Sequence, residues 1–500
     1  MKKLMHFLIM IWILSALILG SVLPALATDI IHSGTWGNLT WELNETTGHL
    51  IISGEGEMGA FDYHPSEAWQ NHKNSIKTVT IEEGVTNIGE RAFYYHDNLT
   101  SVEIPDSVTI IGESAFSFCS NLTSLTIPSS VIAINDFTFV GCSSKLTSIT
   151  VKSGNPRYHA EGNCLIETEN QILVLGCQNS VIPSNGSVTC IGKNSFYACN
   201  NLKNIEIPDC VTKIDDASFF ECSSLINITI PSKVTSIGKH AFNGCSSLTN
   251  IEIPNSVTYI GEYAFIGCSS LTSIKIPDGM TEIGNNMFSN CSSLAHIDIP
   301  DSVTSIGKGS FSNCSSLTSI KLPVGLTIIG NSAFEGCSSL TNIEIPSSVT
   351  EIGAGAFYHC SSLTSFKIPS GVTNIIIHTF DGCSSLTSIE IPLSVIKIGQ
   401  GAFYNCSNLM SIYYYGNVIQ WNSIEKEEDW DSNTDDYTVY FHDQSKSSES
   451  TLNYKADTSQ TNDSCKSKKL GCKSSVALGS GMSILIVLGS TGLLLKKKEI

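Results

Sequence analysis

The chain has 500 residues and a formal net charge of −18, and charged side chains occupy only 15% of its positions. An average globular protein has about 25% charged residues, and a nucleic-acid-binding surface requires clustered Lys and Arg. The composition therefore argues against nucleic acid as a partner.

The first 27 residues have the pattern of a secretory signal peptide. Lys2 and Lys3 precede an apolar run, which ends in the small-residue sequence Ala-Leu-Ala at 25–27. Such a segment is removed on export, so we expect the mature chain to begin at Thr28. An uncleaved amino-terminal anchor is the alternative.

Residues 28–73 precede the first copy of a repeat, and we predict that they form a β-rich cap. Within them, GEGEMG matches a GxGxxG pattern, beginning at Gly54. A dinucleotide site needs a helix directly after the glycines, whereas Pro65 interrupts the segment that follows. We therefore expect no cofactor there.

A 23-residue repeat fills residues 74–420. Cys stands three residues after each repeated Phe, except in the first copy, where His96 takes its place. The repeated aromatic residues are Phe93, Phe116, Phe139, Phe196, Phe219, Phe242, Phe265, Phe288, Phe311, Phe334, Phe357, Phe380 and Phe403. A period of 23 falls within the range of leucine-rich repeats, whose LxxLxL core is matched by LTSIKI and LTNIEI.

Each copy predicts a short strand, because apolar residues alternate around the two isoleucines and the following Pro ends the strand. A single copy cannot bury its own apolar face, so the copies must stack. The predicted fold is a repeat solenoid with a parallel β-sheet on one face, short non-helical or 3-10 arcs on the other, and a cap at both ends.

The cysteines of the repeat are predicted to be buried thiols. Disulfides between copies are the alternative, because the chain is expected to be exported; however, stacked copies hold their Cβ vectors parallel, which suits a bridge poorly. Six cysteines lie outside the repeat position, and free thiols are expected there too, with a Cys164–Cys177 disulfide as an alternative. These six are Cys164, Cys177, Cys190, Cys210, Cys465 and Cys472.

An insertion interrupts the repeat, because the step from Cys142 to Cys199 is longer than one period. We predict a hairpin within residues 152–183, with strands near 164–167 and 172–175. Insertions in repeat proteins often lie on a binding face, and a structural flap is the other interpretation.

Two columns of side chains flank the central apolar residue of each predicted strand, and in a leucine-rich solenoid they face the ligand. The first column is short and polar, apart from His296. The second alternates in sign over Glu252, Lys275, Asp298, Lys321, Glu344, Lys367 and Glu390. Because strands lie ~4.8 Å apart, such charges pair along the stack. We interpret the seven charged residues as a structural charge ladder, a recognition surface for a protein or glycan, or both, and His296 as a further ligand-facing residue.

Residues 421–442 are predicted to form the second cap, and the tyrosines at 413–415 are interpreted as capping residues, with a binding surface at this end as the alternative. The sequence DWDSNTD at 429–435 spaces its acidic side chains like the first ligands of a calcium loop. However, Thr434 and Tyr440 stand where such a loop needs Gly and Glu. A solvated acidic turn is expected near Asp429, and calcium binding is the alternative.

The last part of the chain is predicted to be an attachment device. Residues 443–475 are polar and predict a flexible stalk, residues 476–495 are apolar enough to span a membrane, and residues 496–500 form a basic tail. The end is similar to a cell-wall sorting signal but has no LPxTG sequence. We expect a secreted chain held at the cell surface by a membrane anchor, with cell-wall attachment as the alternative.

The consensus IGxxAFxxCSSLTSIxIPxSVTx resembles the BspA-type leucine-rich repeats of bacterial and some protist surface proteins. The segments GNLTWELNETTGHLIISGEGEMGAF and YYYGNVIQWNSI are similar to the flanks of such repeats. The resemblance implies a surface adhesin that binds host matrix proteins or other cells, and it implies no catalytic residues.

No motif of a hydrolase or metal enzyme is present: the sequence has neither HExxH nor GxSxG. An active site needs several groups that converge in a pocket, whereas each copy offers the same small side chains. We therefore expect no enzyme activity, no metal and no cofactor. The predicted function is adhesion or protein–protein binding by a monomeric, anchored surface protein, and a structural spacer or envelope component without a ligand is the alternative.

Overall fold

The computed structural model describes residues 29–62 and 68–442, and the backbone of residues 450–454. The predicted signal peptide, membrane anchor and basic tail lie outside these residues, as does most of the predicted stalk. Within the described part of the chain, no helix combines the length and the apolar character that a membrane crossing requires.

The chain begins with an antiparallel meander of three strands, β1 Ile31–Trp36, β2 Leu39–Asn44 and β3 His49–Gly54. β3 then pairs in parallel with the first strand of the repeats, so the cap continues their stack. A 3-10 helix, Ala68–His72, follows. Its Trp69 is fully buried and donates its indole N–H to the Ala92 carbonyl at 2.9 Å.

Most of the segments predicted as strands form a parallel stack, the front row, but the predicted strands around Ile320 and Ile343 do not form. Equivalent residues pair in register: Asn204 faces Asn227, which faces Asn250. The front row consists of β5 Thr78–Ile81, β7 Ser101–Glu103, β9 Ser124–Ile127, β11 Ser148–Val151, β16 Asn204–Glu206, β18 Asn227–Thr229, β20 Asn250–Glu252, β22 Ser273–Lys275, β24 His296–Asp298, β28 Ser365–Lys367, β30 Ser388–Ile391, β32 Ser411–Tyr414 and β34 Tyr437–Phe441.

A second row of shorter parallel strands follows the turn after each proline. It consists of β4 Gly56–Glu57, β6 Val85–Ile88, β8 Ile110–Ile111, β10 Ala133–Ile134, β15 Cys190–Ile191, β17 Lys213–Ile214, β19 Ser236–Ile237, β21 Tyr259–Ile260, β23 Glu282–Ile283, β25 Ser305–Ile306, β26 Ile328–Ile329, β27 Glu351–Ile352, β29 Asn374–Ile375, β31 Lys397–Ile398 and β33 Glu425–Lys426. The isoleucine that ends each second-row strand from β6 to β31 is buried, except for the half-buried Ile134, and the residue before it is exposed or half-buried.

The arcs opposite the front row are built of turns, as predicted. Each arc turns sharply at two residues with left-handed backbone, such as His240 (φ 56°) and Gly244 (φ 75°) on either side of Phe242. The glycine of the IG pair has a different role, because a Cβ at Gly261 would lie 2.4 Å from the backbone nitrogen of Lys239 in the preceding copy. The two copies therefore approach each other too closely for a side chain at Gly261.

The repeated phenylalanines form a continuous stack through the core. The rings of Phe219, Phe242 and Phe265 follow one another at 5.4 and 5.5 Å between centroids and are nearly parallel. All three are fully buried. Offset aromatic stacking of this kind adds about 0.5–1.5 kcal/mol per pair to the free energy gained from area burial.

The cysteines of the repeat are free, buried thiols, as predicted. Each makes a contact that the sequence did not reveal: the Cys245 thiol donates to the Phe219 carbonyl of the preceding copy at 3.2 Å, and Cys268 does the same to Phe242. Burial raises the pKa of Cys268 to about 12. Cys164 and Cys177 are free thiols as well, so the alternative of a disulfide between them is not adopted.

The insertion forms the predicted hairpin, with a strand added before it. β13 Cys164–Glu167 and β14 Ile172–Leu175 occupy the predicted positions, and β12 Tyr158–Glu161 pairs antiparallel with β13. All four residues of β13 are buried. The hairpin is thus part of the core, because its apolar strand packs inside the stack, which favours a structural role for this segment over a binding face.

The second cap begins with the α-helix α1, Val418–Ser423, which crosses the predicted boundary at 421. The Asn417 side chain accepts hydrogen bonds from the backbone N–H groups of Ile419 and Gln420, a standard amino-terminal cap. α1 buries Trp421 completely.

The front row ends in a strand that the sequence did not predict. Residues 450–454, inside the segment predicted as stalk, form β35 Ser450–Tyr454, which pairs antiparallel with β34. An uncovered edge strand presents unpaired backbone N–H and C=O groups. β35 pairs with these groups of β34 and so covers its edge.

Candidate functional site

The outward side chains of the front row, together with those that flank the buried Ile320 and Ile343 in the two copies without a strand, form a face that we call the front face. Alternation along each strand points the central Ile or Phe inward and its two neighbours outward. The eight predicted residues all lie on this face, half-buried in the case of Glu390 and exposed in the case of Glu252, Lys275, His296, Asp298, Lys321, Glu344 and Lys367.

The alternating charges form a ladder only in part. Lys367 and Glu390 pair across neighbouring strands, with Nζ and Oε2 3.2 Å apart. Lys275 lies opposite Asp298 in the register, yet its Nζ is 3.8 Å from Asp278 of its own copy. Asp298 likewise bonds to His296 beside it at 3.0 Å. Exposed pairs of this kind contribute about 0–1 kcal/mol each, so the column is a weak structural device.

A groove of about 1140 Å³ lies at the carboxy-terminal end of the front face. Its floor includes Ser365 and Ser388, and Glu344, Lys367 and Glu390 from the predicted set also line it. The other five predicted residues lie outside it, on earlier copies. The structure therefore brings three of the eight together in a concave site.

Aromatic rings form one wall of this groove. The rings of Tyr413 and Tyr440 stack with centroids 5.1 Å apart, and the Tyr415 and His442 rings stack at 5.5 Å. Tyr413, Tyr415 and His442 line the groove directly. They form a ridge of flat, partly exposed rings. In the copies from Glu252 to Glu390, an acidic residue or Lys stands at the position of Tyr413, and Pro stands at that of Tyr415.

The tyrosine wall is connected to the charged floor. The Tyr415 hydroxyl donates to Glu390 Oε2 at 2.7 Å, and Lys367 Nζ lies 6.0 Å from the centre of the Tyr415 ring. The hydrogen bond to Glu390 raises the pKa of Tyr415, as does partial burial. The three side chains form a connected set that holds the carboxylate and the ring in place.

The sequence favours capping for all three neighbouring tyrosines, with binding at this end of the solenoid as the alternative. Tyr414 is fully buried against Trp421, as a capping residue would be. Tyr413 and Tyr415 point outward, which favours the alternative for these two. The period-two alternation of β32 was the available signal, since it places every second tyrosine on the same face as Ser411.

The two motifs that resembled cofactor or metal sites serve the fold. Gly54 ends β3 and Gly56 begins β4, so GEGEMG joins two strands. In the acidic turn, Asp431 accepts the Tyr437 hydroxyl at 2.7 Å and Asp429 accepts the Ser432 hydroxyl at 2.9 Å. Burial raises the pKa of Asp431. These carboxylates therefore already have partners within the cap.

Comparison with known families agrees with this geometry. The profile of the BspA type leucine-rich repeat region matches six copies, over residues 65–170, 189–318 and 304–424. The chain belongs to the BspA-type leucine-rich repeat family. The resemblance inferred from the consensus and the predicted solenoid are thereby confirmed, and proteins with this repeat and fold are typically not catalytic.

Crystal structures of bacterial leucine-rich repeat proteins resemble this BspA-type chain. A protein from Bacteroides ovatus is 29% identical, with 80% of this chain and 98% of that chain covered and a TM-score of 0.50. A protein from Eubacterium ventriosum is 26% identical, with 66% and 94% covered and a TM-score of 0.50. A leucine-rich cell surface protein from Faecalibacterium prausnitzii is 29% identical, with 80% and 100% covered and a TM-score of 0.41. No curated protein matches the chain.

Proposed function

We propose that this BspA-type protein is an anchored cell-surface protein that binds a protein or glycan partner, on host matrix or on other cells, through its front face. The groove at the carboxy-terminal end of that face is the observation that carries the proposal. The protein acts as a monomer and as a binding module without catalysis.

The chemistry of the groove supports binding. Interfaces are enriched in Tyr, because its ring gives a large contact area and its hydroxyl a hydrogen bond. Ligand sites typically combine apolar and aromatic walls with a small number of fixed polar groups. Tyr413 and Tyr415 supply the rings here, and Lys367 and Glu390 supply the charges. The earlier copies have the charges without the rings, and we therefore place the main binding contacts in the groove.

The surface location rests on the sequence of the two ends. Residues 1–27 have the pattern of an export signal, and residues 476–495 have the length and apolar character of a membrane anchor. A solenoid exported in this way and held by its carboxy-terminal end would be accessible to partners outside the cell.

Binding of the full chain to immobilised matrix proteins and to cells tests the proposal. Tyr413→Ser and Tyr415→Ser together remove the aromatic wall, and we expect at least about a tenfold loss of retention, as for residues that dominate an interface. Tyr259→Ser is the matched control, because Tyr259 is 48% exposed but lies on the second row. Equal binding by the double variant and the control would contradict the proposed site.

A structural spacer is the competing function, and the internal pairing of the front-face charges favours it. Reversing Lys275, Lys321 and Lys367 to Glu separates the two. A recognition surface would change its binding, whereas a spacer would lose only the small stability of exposed ion pairs, about 0–1 kcal/mol each. Unchanged retention together with a slightly lower unfolding midpoint would favour the spacer.

A further inference from the structure

Two histidines and a glutamate meet in the amino-terminal cap, far from the groove in the sequence. His32 lies in β1, Glu45 follows β2 directly, and His72 ends the 3-10 helix. One ligand atom from each lies within 4.8 Å of the other two. Among the described residues, this is the group of three or more His, Cys, Asp or Glu side chains that meets this condition.

Strand pairing and one turn bring the three side chains together. The Glu45 backbone N–H donates to the Ile30 carbonyl at 2.8 Å, which fixes Glu45 beside the start of β1. The Ser75 N–H donates to the His72 carbonyl at 2.8 Å, and the Ser75 hydroxyl donates to Glu45 Oε1 at 2.9 Å. A single turn therefore positions His72 and orients the glutamate.

The side chains are close to the arrangement that a metal ion requires. His32 Nε2 lies 2.8 Å from Glu45 Oε2, and the His32 and His72 rings have centroids 4.2 Å apart. Tetrahedral zinc with bonds of 2.0–2.2 Å holds its ligand atoms about 3.4 Å apart. If side-chain rotation moved the ligand atoms by about 1 Å, they would reach that spacing without a change in the backbone.

The cluster can also be reached from the solvent. Both side chains of the His32–Glu45 pair are about one-third exposed, which leaves the ions of the solvent access to them.

We propose that His32, Glu45 and His72 form a zinc site that ties β1 to the 3-10 helix in the amino-terminal cap. Two imidazoles and one carboxylate are a ligand set that zinc uses with a fourth position open. Water or a side chain of a partner completes the coordination. Ser75 is a positioning residue, because it holds the carboxylate through its second oxygen. The proposal is independent of the proposed function of the groove.

Calorimetric titration of the full chain with zinc chloride tests the site. Cys465→Ser and Cys472→Ser form the background, so that these two thiols add no zinc site of their own. We expect one zinc ion with a Kd below about 10 µM, about −7 kcal/mol. His32→Gln and His72→Gln should each raise the Kd at least about 100-fold, and Ser75→Ala about tenfold.

His49→Gln is the matched control. It is the other described histidine of this cap, and its Nδ1 is bonded to the Thr78 hydroxyl at 2.7 Å, so zinc binding should be unchanged. Zinc should also raise the unfolding midpoint of the background protein but not that of His72→Gln. A glutamine at position 32 can still donate to Glu45, which distinguishes a metal site from a simple hydrogen bond. The proposal would be overturned if the background protein did not bind zinc. It would also be overturned if the His32→Gln and His72→Gln variants bound zinc as tightly as the background protein.

Discussion

The copies between Cys199 and Cys406 and the interrupted copy before them meet the same packing requirement with different residues. In the regular copies each thiol donates to the carbonyl of the Phe that precedes the previous Cys, as Cys245 does to Phe219 at 3.2 Å. At the interruption, the Cys199 thiol donates to the Ser143 carbonyl at 3.4 Å. The Ser143 hydroxyl in turn donates to Gly176 of the hairpin at 3.0 Å.

This difference shows that each repeated thiol requires a carbonyl acceptor in the right place, whichever residue supplies it. The hairpin supplies carbonyls and apolar side chains where a regular copy would have supplied them. It also divides the core into two clusters, because Ile166 and Leu173 pack with the later copies while Leu165 and Leu175 pack with the earlier ones. The hairpin thus replaces the contacts of a regular copy, and it also forms the boundary between the two core clusters.

The largest expected effect is a loss of unfolding free energy when a repeated phenylalanine is truncated, and it should differ between the two sides of this boundary. Phe265 stacks on both Phe242 and Phe288, at 5.5 and 5.6 Å, and Phe265→Ala should cost about 3–5 kcal/mol in unfolding free energy. In the described chain, Phe139 stacks on Phe116 alone among the repeated rings. Phe139→Ala should cost about 1 kcal/mol less, since one aromatic pair is missing. Urea unfolding measures both, and a larger cost at Phe139 would contradict the comparison.

The second prediction concerns the first copy, where His96 replaces the repeated Cys. Burial lowers the pKa of His96 to about 4. Because the unfolded chain binds this proton near pH 6.5, stability is full above that pH and falls as the pH drops towards 4, by about 3 kcal/mol in total. His96→Cys should remove this loss. Urea unfolding of both proteins at pH 7.5 and 4.5 measures it, and parallel losses in the two would count against a titrating His96.

The regular copies were predictable because each physical requirement leaves a periodic trace in the sequence. Alternating isoleucines gave the front row, Pro marked its end, and a fixed Phe–Cys step gave the period. The family and the solenoid were therefore predicted correctly, and the register of the strands follows from the period alone. Buried thiols were predicted from the same regularity, although their bond to a carbonyl was not, because it depends on the distance between copies.

The sites were less predictable, because they combine residues that the period does not connect. His32, Glu45 and His72 have no motif spacing, and the pairing of β1 with β2 brings two of them together. The charged side chains point outward, as predicted. Their ion-pair partners were not predicted, because a long side chain such as Lys275 can reach an acid of its own copy as easily as one on the next strand.

A smaller effect tests the boundary itself. A Cβ at Gly176 would lie 2.1 Å from Cε1 of Phe196, so Gly176→Ala must displace the hairpin or the ring and should cost about 1–3 kcal/mol. Because the two core clusters meet here, we also expect Gly176→Ala to unfold in two separate transitions. Gly279→Ala is the control, since its nearest contact would be an ordinary 3.5 Å to Thr258. A single transition with unchanged midpoint in Gly176→Ala would show that the hairpin does not couple the clusters.

The smallest expected effect is a change in stability at one arc position, which we compare between the copy at the boundary and a regular copy. Ala198 has a left-handed backbone, with φ of 53°, and its counterpart two copies later is Gly244, with φ of 75°. A left-handed conformation costs a residue with a Cβ roughly 1–2 kcal/mol, whereas glycine adopts it freely. Ala198→Gly should therefore stabilise the chain by about 0.5–1 kcal/mol, after the added entropy of the unfolded glycine is subtracted. Gly244→Ala should destabilise it by a similar or larger amount, because the new Cβ would also lie 3.0 Å from Cγ of Glu221. Thermal unfolding of the two variants should shift in opposite directions, and a shift in the same direction would mean that the boundary copy does not share the backbone requirement of the regular ones.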